Sequence, residues 1–516
     1  MKHSIWMAGL LLLMVIGCRE ESDIVLSYAF KDNMAFNKAD TSFAGKFDVM
    51  WNGMNANYGL WDYEKENGLD WDEVYEEYYP RFAALDAADT PVTDKQLQEL
   101  LDELVTPLHD GHMFIQMQNH DTGHYLMSNP SSLRAQRERK EEYQANMSKS
   151  SSLPYYISTG DVLEAMEVST ASFVPSLIGS YNNLMLAVIG LQGKPDRTPE
   201  EDARLLLFSS ILADLTAIIN QVTLDNNLKK AMDSFNELAL RYEYLHIPGL
   251  APIDKQLNEY AITLSYALFK GNIAYLSFDS FTLSAYVNPV YTKELFDNPS
   301  AQTQEMIENV RSIWKAWFNA IQEHHKAGDL GGVIIDVRSN GGGLMNDYMY
   351  ALGALLPSGG YHESNARYKR GPGRYDYSPV MPQKMPTLEE EHVIVTEPIV
   401  GLCNSNSASM AEHTSIGIKL LDNGCLIGTR TWGGFSALSS SDQYSQNYAG
   451  YVGVRNETPV FCYIPQEVAF TPDGQIVEGI GITPDIEIEL DRTAWKNGYG
   501  PDSQLDRALQ YIRNGH

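Results

Sequence analysis

The spacing of apolar residues changes along this chain, and each change marks a segment. From about residue 24 to 117 apolar positions recur three and four apart. Phe47 and Trp51, and Trp71 and Tyr75, each stand one helical turn apart. Thr93-Asp-Lys-Gln-Leu-Gln-Glu-Leu-Leu-Asp-Glu-Leu104 opens on a cap residue and continues as a helical apolar stripe. The pattern predicts a mostly helical N-terminal domain ending in the turn Leu108-His-Asp-Gly-His112 and a short strand, Met113-Phe-Ile-Gln116. Residues 118–160 are polar, with charge concentrated at Arg134 to Glu142 and low complexity at Ser148 to Ser152, which reads as a linker or a solvated helix. Residues 160–245 read as a helical insertion. Thr198-Pro-Glu-Glu201 is a helix start, and Leu205, Phe208, Leu212, Leu215, Ile219 and Val222 then fall on one face, predicted to be core.

From about Tyr266 the period shifts to alternating strands and helices. Strand patterns appear at Asn272–Phe278, Gly331–Arg338, Val393–Cys403 and Cys425–Gly428, with helices at Met306–Lys326 and Ser407–Leu421 between them. This alternation predicts an α/β core with parallel pairing. Leu356 to Glu391, rich in Gly, Pro and Tyr, reads as a long functional loop. The division expected is 24–117 helical domain, 118–265 linker and insertion, and 266–516 core.

The first 18 residues form a leader. Met1-Lys2-His3 is basic, Ile5 to Gly17 is apolar but too short to span a bilayer comfortably, and the run closes on Val15-Ile16-Gly17-Cys18. That box resembles a bacterial lipoprotein cleavage site. It implies lipidation of Cys18, a membrane contact through the lipid anchor, and, with no aspartate directly after the cysteine, outer-membrane sorting on a face left open. Thirty-eight basic against 67 acidic residues give a net charge of −29, which disfavours nucleic acid as a partner. The remaining cysteines, Cys403, Cys425 and Cys462, are sparse and sit in apolar runs, so buried thiols are expected, with one bridge still open.

Four pieces carry candidate chemistry. Asn404-Ser-Asn-Ser-Ala-Ser409-Met-Ala-Glu412 joins a strand to a helix, so a serine hydroxyl there sits beside free helix N–H groups. Ser409-x-x-Glu412 is also a capping-box pattern, and Ser405 and Ser407 are neighbouring candidates. Ser339-Asn-Gly-Gly-Gly343 lets backbone approach a ligand, and no Gly-Lys-Ser/Thr follows to make it a nucleotide loop. His112 in its Asp-Gly turn is a candidate base, and Glu478, in Glu478-Gly-Ile-Gly-Ile-Thr-Pro-Asp485, a candidate orienting acid. Glu323-His-His325 and Glu412-His413 lack the histidine spacing of zinc peptidases, so neither metal nor cofactor is expected.

Taken in order, Leu108-His-Asp-Gly-His112, Val333 to Gly343, Ser407-Ala-Ser409-Met-Ala-Glu412, Gly428-Thr-Arg-Thr-Trp-Gly433 and Glu478 to Asp485 resemble the C-terminal-processing (tail-specific) and tricorn-type serine peptidases. The resemblance covers roughly 24–117 and 266–490. It implies a ClpP/crotonase-like α/β catalytic core with an N-terminal helical domain and a helical insertion, and a protein or peptide substrate. It selects Ser409 over Ser405 and Ser407 as the nucleophile. Gly434 stands where the Ser/Lys branch carries lysine, so the chain resembles the tricorn branch, with His112 as base and Glu478 supporting it directly or through another residue. Met410 and one of Gly341, Gly342 and Gly343 would line the oxyanion hole. Two features depart from that pattern: Gly111 replaces the serine before the histidine, and 118–265 carries helices rather than a PDZ pattern. The rival reading is a peptide- or apolar-ligand-binding protein without turnover. The oligomeric state is left open.

Overall fold

The computed structural model describes residues 41–515 apart from 140–151, 171–172, 224–227, 249, 371–372, 391, 437–454, 457, 492 and 495–499. Cys18 and the leader lie outside the described residues.

Helices α1 (Phe43–Asn57), α2 (Trp61–Glu66), α3 (Trp71–Asp86) and α4 (Asp94–Val105) form where the apolar spacing places them. Ser42 caps α1, Asp70 caps α3, and Thr93 with Gln96 closes a reciprocal capping box on α4. Their buried faces do not close on one another alone. Phe47, Met54, Phe82, Leu97 and Leu101 share one core with Val460, Cys462, Ile464 and Val468, residues from the far end of the chain. Strand β1 (Phe114–Gln118) is flanked by β2 (Tyr125–Ser128) and by the distant β11 (Val460–Tyr463), with Phe114 opposite Tyr463. The histidine turn between α4 and β1 is thereby fastened to residues 460–470.

The charged stretch after β2 contains helix α5 (Pro130–Glu138). The segment expected to begin the helical insertion starts instead with a strand, β3 (Val162–Ser169), which has no fully buried residue, as suits its place at the edge of the main sheet. The insertion proper is α6 (Phe173–Gln192), α7 (Pro199–Thr223) and α8 (Leu228–Arg241), packed around Leu177, Ile211, Leu215 and Phe235. Thr198 and Glu201 cap α7 reciprocally. The stripe predicted as core faces this cluster: Leu215 is fully buried with Ile211 and Ile218, and Phe208, Leu212, Ile219 and Val222 pack half-buried against them.

The main sheet runs β13-β10-β9-β6-β5-β4-β3. Strands β4 (Thr263–Phe269) and β5 (Ile273–Phe278) are antiparallel. After the long helix α9 (Ala301–Ala327) come β6 (Gly332–Asp336), β9 (Ile399–Cys403), β10 (Gly424–Gly428) and β13 (Ile486–Glu487), all parallel to β5, as the β-α alternation predicts. Strands β5, β6 and β9 are buried throughout. The segment read as a long loop contains a hairpin, β7 (Tyr361–Tyr368) and β8 (Met381–Met385), to which β12 (Glu467–Phe470) adds. Helix α10 (Met410–Lys419) follows β9, and α11 (Ser503–Asn514) covers the opposite face of the sheet through Leu505, Ala508 and Leu509. Cys403, Cys425 and Cys462 are buried free thiols.

Candidate active site

The turns that follow β6, β9 and β10 all leave the same, carboxyl-terminal edge of the parallel strands. In open α/β sheets ligands bind at this edge. The first turn holds Ser339–Gly343, the second holds Ser409, and the third holds Thr429–Gly434.

Ser409 opens α10 with φ 56° and ψ −119°, a left-handed backbone that a non-glycine residue adopts at a cost of about 1–3 kcal/mol. Its neighbours hold it there. The Ser409 N–H donates to the Gly434 carbonyl at 3.0 Å and to Glu412 Oε2 at 3.2 Å. Glu412 is fully buried and does more than the capping pattern implied. Its carboxylate also accepts the N–H groups of Gly433 (2.9 Å) and Gly434 (2.7 Å) and the Thr431 hydroxyl (2.6 Å). One side chain thus locks the serine to the third turn. Burial raises the Glu412 pKa, while these four donors oppose the rise. Ser407 is committed elsewhere: its hydroxyl donates to the Val337 carbonyl at 2.7 Å and accepts the Asn404 N–H at 3.0 Å.

The glycine turn presses on the serine. A Cβ at Gly342, where φ is +93°, would stand 2.5 Å from Ser409 Cβ and 3.0 Å from its Oγ. Buried Asn340 anchors the turn: its amide donates to the Phe278 carbonyl, its Oδ1 accepts the Gly342 N–H at 2.8 Å, and its carbonyl accepts the Ala408 N–H at 3.0 Å. The Gly342 N–H is therefore occupied. Among the described residues the N–H groups of Gly341 and Met410 have no acceptor, the latter because the first helical N–H has no intrahelical partner.

His112 reaches this place through Gly111. A Cβ on Gly111 would lie 2.2 Å from the Gly433 carbonyl oxygen and 2.3 Å from Gly434 Cα, so the residue that departs from the tricorn pattern is required by the close approach of the third turn. Trp432 Nε1 donates to the Gly111 carbonyl at 3.0 Å. Glu478, fully buried, accepts the Gly111 N–H at 2.9 Å and the Ser436 N–H. The acid expected behind the histidine thus grips the backbone one residue before it. Asp110 Oδ1 accepts the N–H groups of His112 (2.6 Å) and Met113 (2.7 Å). The other Asp110 oxygen and His112 Nδ1 are both buried without a partner among the described residues. Burial, with the nearby His413 charge, pushes the His112 imidazole down to about 4, so it is neutral at pH 7. Burial also raises the Asp110 and Glu478 carboxyls, each reinforced by a neighbouring acid: Glu64 beside Asp110, and Asp110 beside Glu478. The structure brings Ser409, the glycine turn, the His112 turn and Glu478 together, linked by Gly111, Gly433 and Gly434. The imidazole itself makes no hydrogen bond to Ser409 or Glu478 among the described residues.

Sequence reasoning weighed His413 only as a metal ligand. It lies on α10 beside Glu412, fully buried, with Nδ1 2.7 Å from Glu363 Oε1 and Nε2 3.1 Å from the Phe435 carbonyl. Burial is the largest influence and opposes its charge, but Glu363, Glu467 and Glu412 together outweigh it and the pKa is raised. No local pattern signals this pair, because Glu363 comes from the hairpin read as loop.

Residues 272–488 match Peptidase family S41. The chain carries a Peptidase family S41 domain, the family of serine-type peptidases to which its motifs pointed. Over 195 residues it is 27% identical to the carboxy-terminal-processing protease of Bartonella bacilliformis, covering 38% of this chain and 39% of that protein. Over 187 residues it is 28% identical to the tricorn protease of Thermoplasma volcanium, covering 35% of this chain and 14% of that one. The match thus spans less than half the length of either relative. Among solved structures, mature CPAF aligns over 92% of this chain and 98% of its own, at 12% identity and a TM-score of 0.45.

Proposed function

We propose that the protein is a serine endopeptidase acting through Ser409, His112 and Glu478. The Ser409 hydroxyl attacks the scissile carbonyl carbon while His112, neutral at pH 7, takes its proton. The oxyanion that forms accepts hydrogen bonds from the N–H groups of Met410 and Gly341, each donor worth a few kcal/mol of barrier. His112 then gives the proton to the leaving amine, which departs and leaves an acyl-serine. Water attacks that ester with His112 again as base, releasing the acid and restoring the hydroxyl. Glu478 and Asp110 serve by fixing the backbone on both sides of the histidine turn.

The observation that carries the reading is the strained Ser409 held against Gly342, beside the Gly341 and Met410 N–H groups that have no acceptor among the described residues. Such strain persists where the surroundings over-determine it. The family domain supports proteins or peptides as the substrate class. The Cys18 box supports a cell-envelope membrane as the location. A fluorophosphonate probe tests the proposal. Wild type should label covalently and Ser409→Ala should not. An unlabelled wild type with an intact fold would leave the binding protein without turnover as the better reading.

A further inference from the structure

The surface of the helical insertion does not suit water. Helix α6 contains no Asp, Glu, Lys or Arg in its entire length. Its outward face repeats one turn at a time as Ile178, Asn182, Leu186 and Ile189, and the three apolar members are 49%, 66% and 55% exposed. Helix α7 is long and apolar enough to cross a membrane by length and composition, and its fully buried residues are Ile211, Leu215 and Ile218. Leu206 on that helix is 75% exposed. A water-facing helix places charge on its outer side. Here charge collects at the turn between the helices, where Lys194 pairs with Glu201 at 2.6 Å and Arg197 with Asp202 at 2.7 Å.

A second, independent feature says what covers this face. On the reading of the Cys18 box as a lipidation site, an acyl chain stands at the start of the mature protein, and the first described helix begins at Phe43. Fully extended, the intervening segment reaches about 80 Å. A tether of that length keeps the described part of the chain close to the surface that holds the lipid.

We infer that the α6–α7 hairpin is a second membrane contact, lying in the interfacial layer with Ile178, Leu186, Ile189 and Leu206 among the acyl chains. The hairpin lies on the bilayer rather than crossing it, because the other side of the pair packs on α8 through Ile211, Leu215 and Phe235. A single acyl tether leaves the catalytic domain free to tumble. Two contacts fix which way the Ser409 edge of the sheet faces.

The test uses the chain from Arg19 onward, which carries no lipid but keeps every described element. It should co-float with phosphatidylcholine vesicles, and raised salt should not release it, since the contact is apolar. Leu186→Glu with Leu206→Glu should lower the vesicle-bound fraction by roughly tenfold or more. Fluorophosphonate labelling and the melting temperature should stay unchanged, which reports an intact fold. If the double variant does not fold, Leu186→Trp provides the alternative: its fluorescence should shift to the blue with vesicles and be quenched by brominated acyl chains. A chain from Arg19 that does not float, a double variant that floats as well as wild type, or a Leu186→Trp signal indifferent to vesicles overturns the inference. So does light scattering that finds a dimer in the wild type and a monomer in the double variant, since a second copy would then cover the face.

Discussion

Gly342→Ala isolates the contact on which the proposed chemistry rests. The added Cβ would meet Ser409 Cβ at 2.5 Å, and Ser409 Oγ and the Ala408 carbonyl oxygen at 3.0 Å. Non-bonded carbons settle near 3.5–4.0 Å, so the serine or the glycine turn must retreat by about 1 Å. The backbone at Gly342 has φ +93°, where an L-residue pays about 1–2 kcal/mol. Forced repacking adds about 1–3 kcal/mol, so folding stability should fall by roughly 2–5 kcal/mol. Misplacing a nucleophile by that distance lowers the rate about 100-fold. Two measurements follow: the second-order rate of fluorophosphonate labelling, and the urea midpoint. Gly341→Ala is the control, because a Cβ there meets nothing within 4 Å and the N–H is retained. It should change stability by less than about 0.5 kcal/mol and leave labelling within a few-fold of wild type. A Gly342→Ala protein that labels at the wild-type rate would refute the placement of the glycine turn against the nucleophile.

Two further outcomes follow from the site. Glu412→Gln replaces two acceptor oxygens by one and turns an amide N–H₂ toward existing donors. Each donor left unpaired costs about 1–3 kcal/mol, so urea denaturation should register a loss of that order and labelling should slow. His112 must be neutral to accept the serine proton, and its pKa is lowered to about 4. The acylation rate should therefore hold steady as pH falls below the ordinary histidine range and decline only as pH passes down through about 4; an acid limb near 6.5 in the pH–rate profile would refute a buried, neutral ring.

The parts of the fold visible from sequence are those whose signal is local. Buried parallel strands read as continuous apolar runs, and the serine turn lies between such a run and a helix. Strand β3 escaped because, at a sheet edge, Glu164 and Glu167 interrupt its apolar residues. The β7–β8 hairpin escaped because its buried positions include Glu363 and Ser364, so no hydrophobic period marks it. Glu412 was legible as a cap, but not as the clamp on Thr431, Gly433 and Gly434, which come from a turn beyond the next strand. The positions of Glu478 on the Gly111 backbone and of Val460–Val468 beneath the N-terminal helices rest on contacts between chain segments hundreds of residues apart, and no window of sequence reports those. The α7 stripe was legible because its signal is local too: Leu215 is buried in the insertion core, and Phe208, Leu212, Ile219 and Val222 pack against the same cluster.

The turn that carries His112 is built early in the chain, yet its supports arrive late: Tyr463 beside Phe114, then the Glu478 carboxylate on Gly111. A ribosome delivers these in order. On the proposed reading, a chain made only as far as the serine elbow has its nucleophile and its base but lacks the Tyr463 and Glu478 supports of the histidine turn. Full alignment of the proposed catalytic groups then waits on synthesis as far as Glu478, which couples the onset of hydrolysis to the order in which the chain is made.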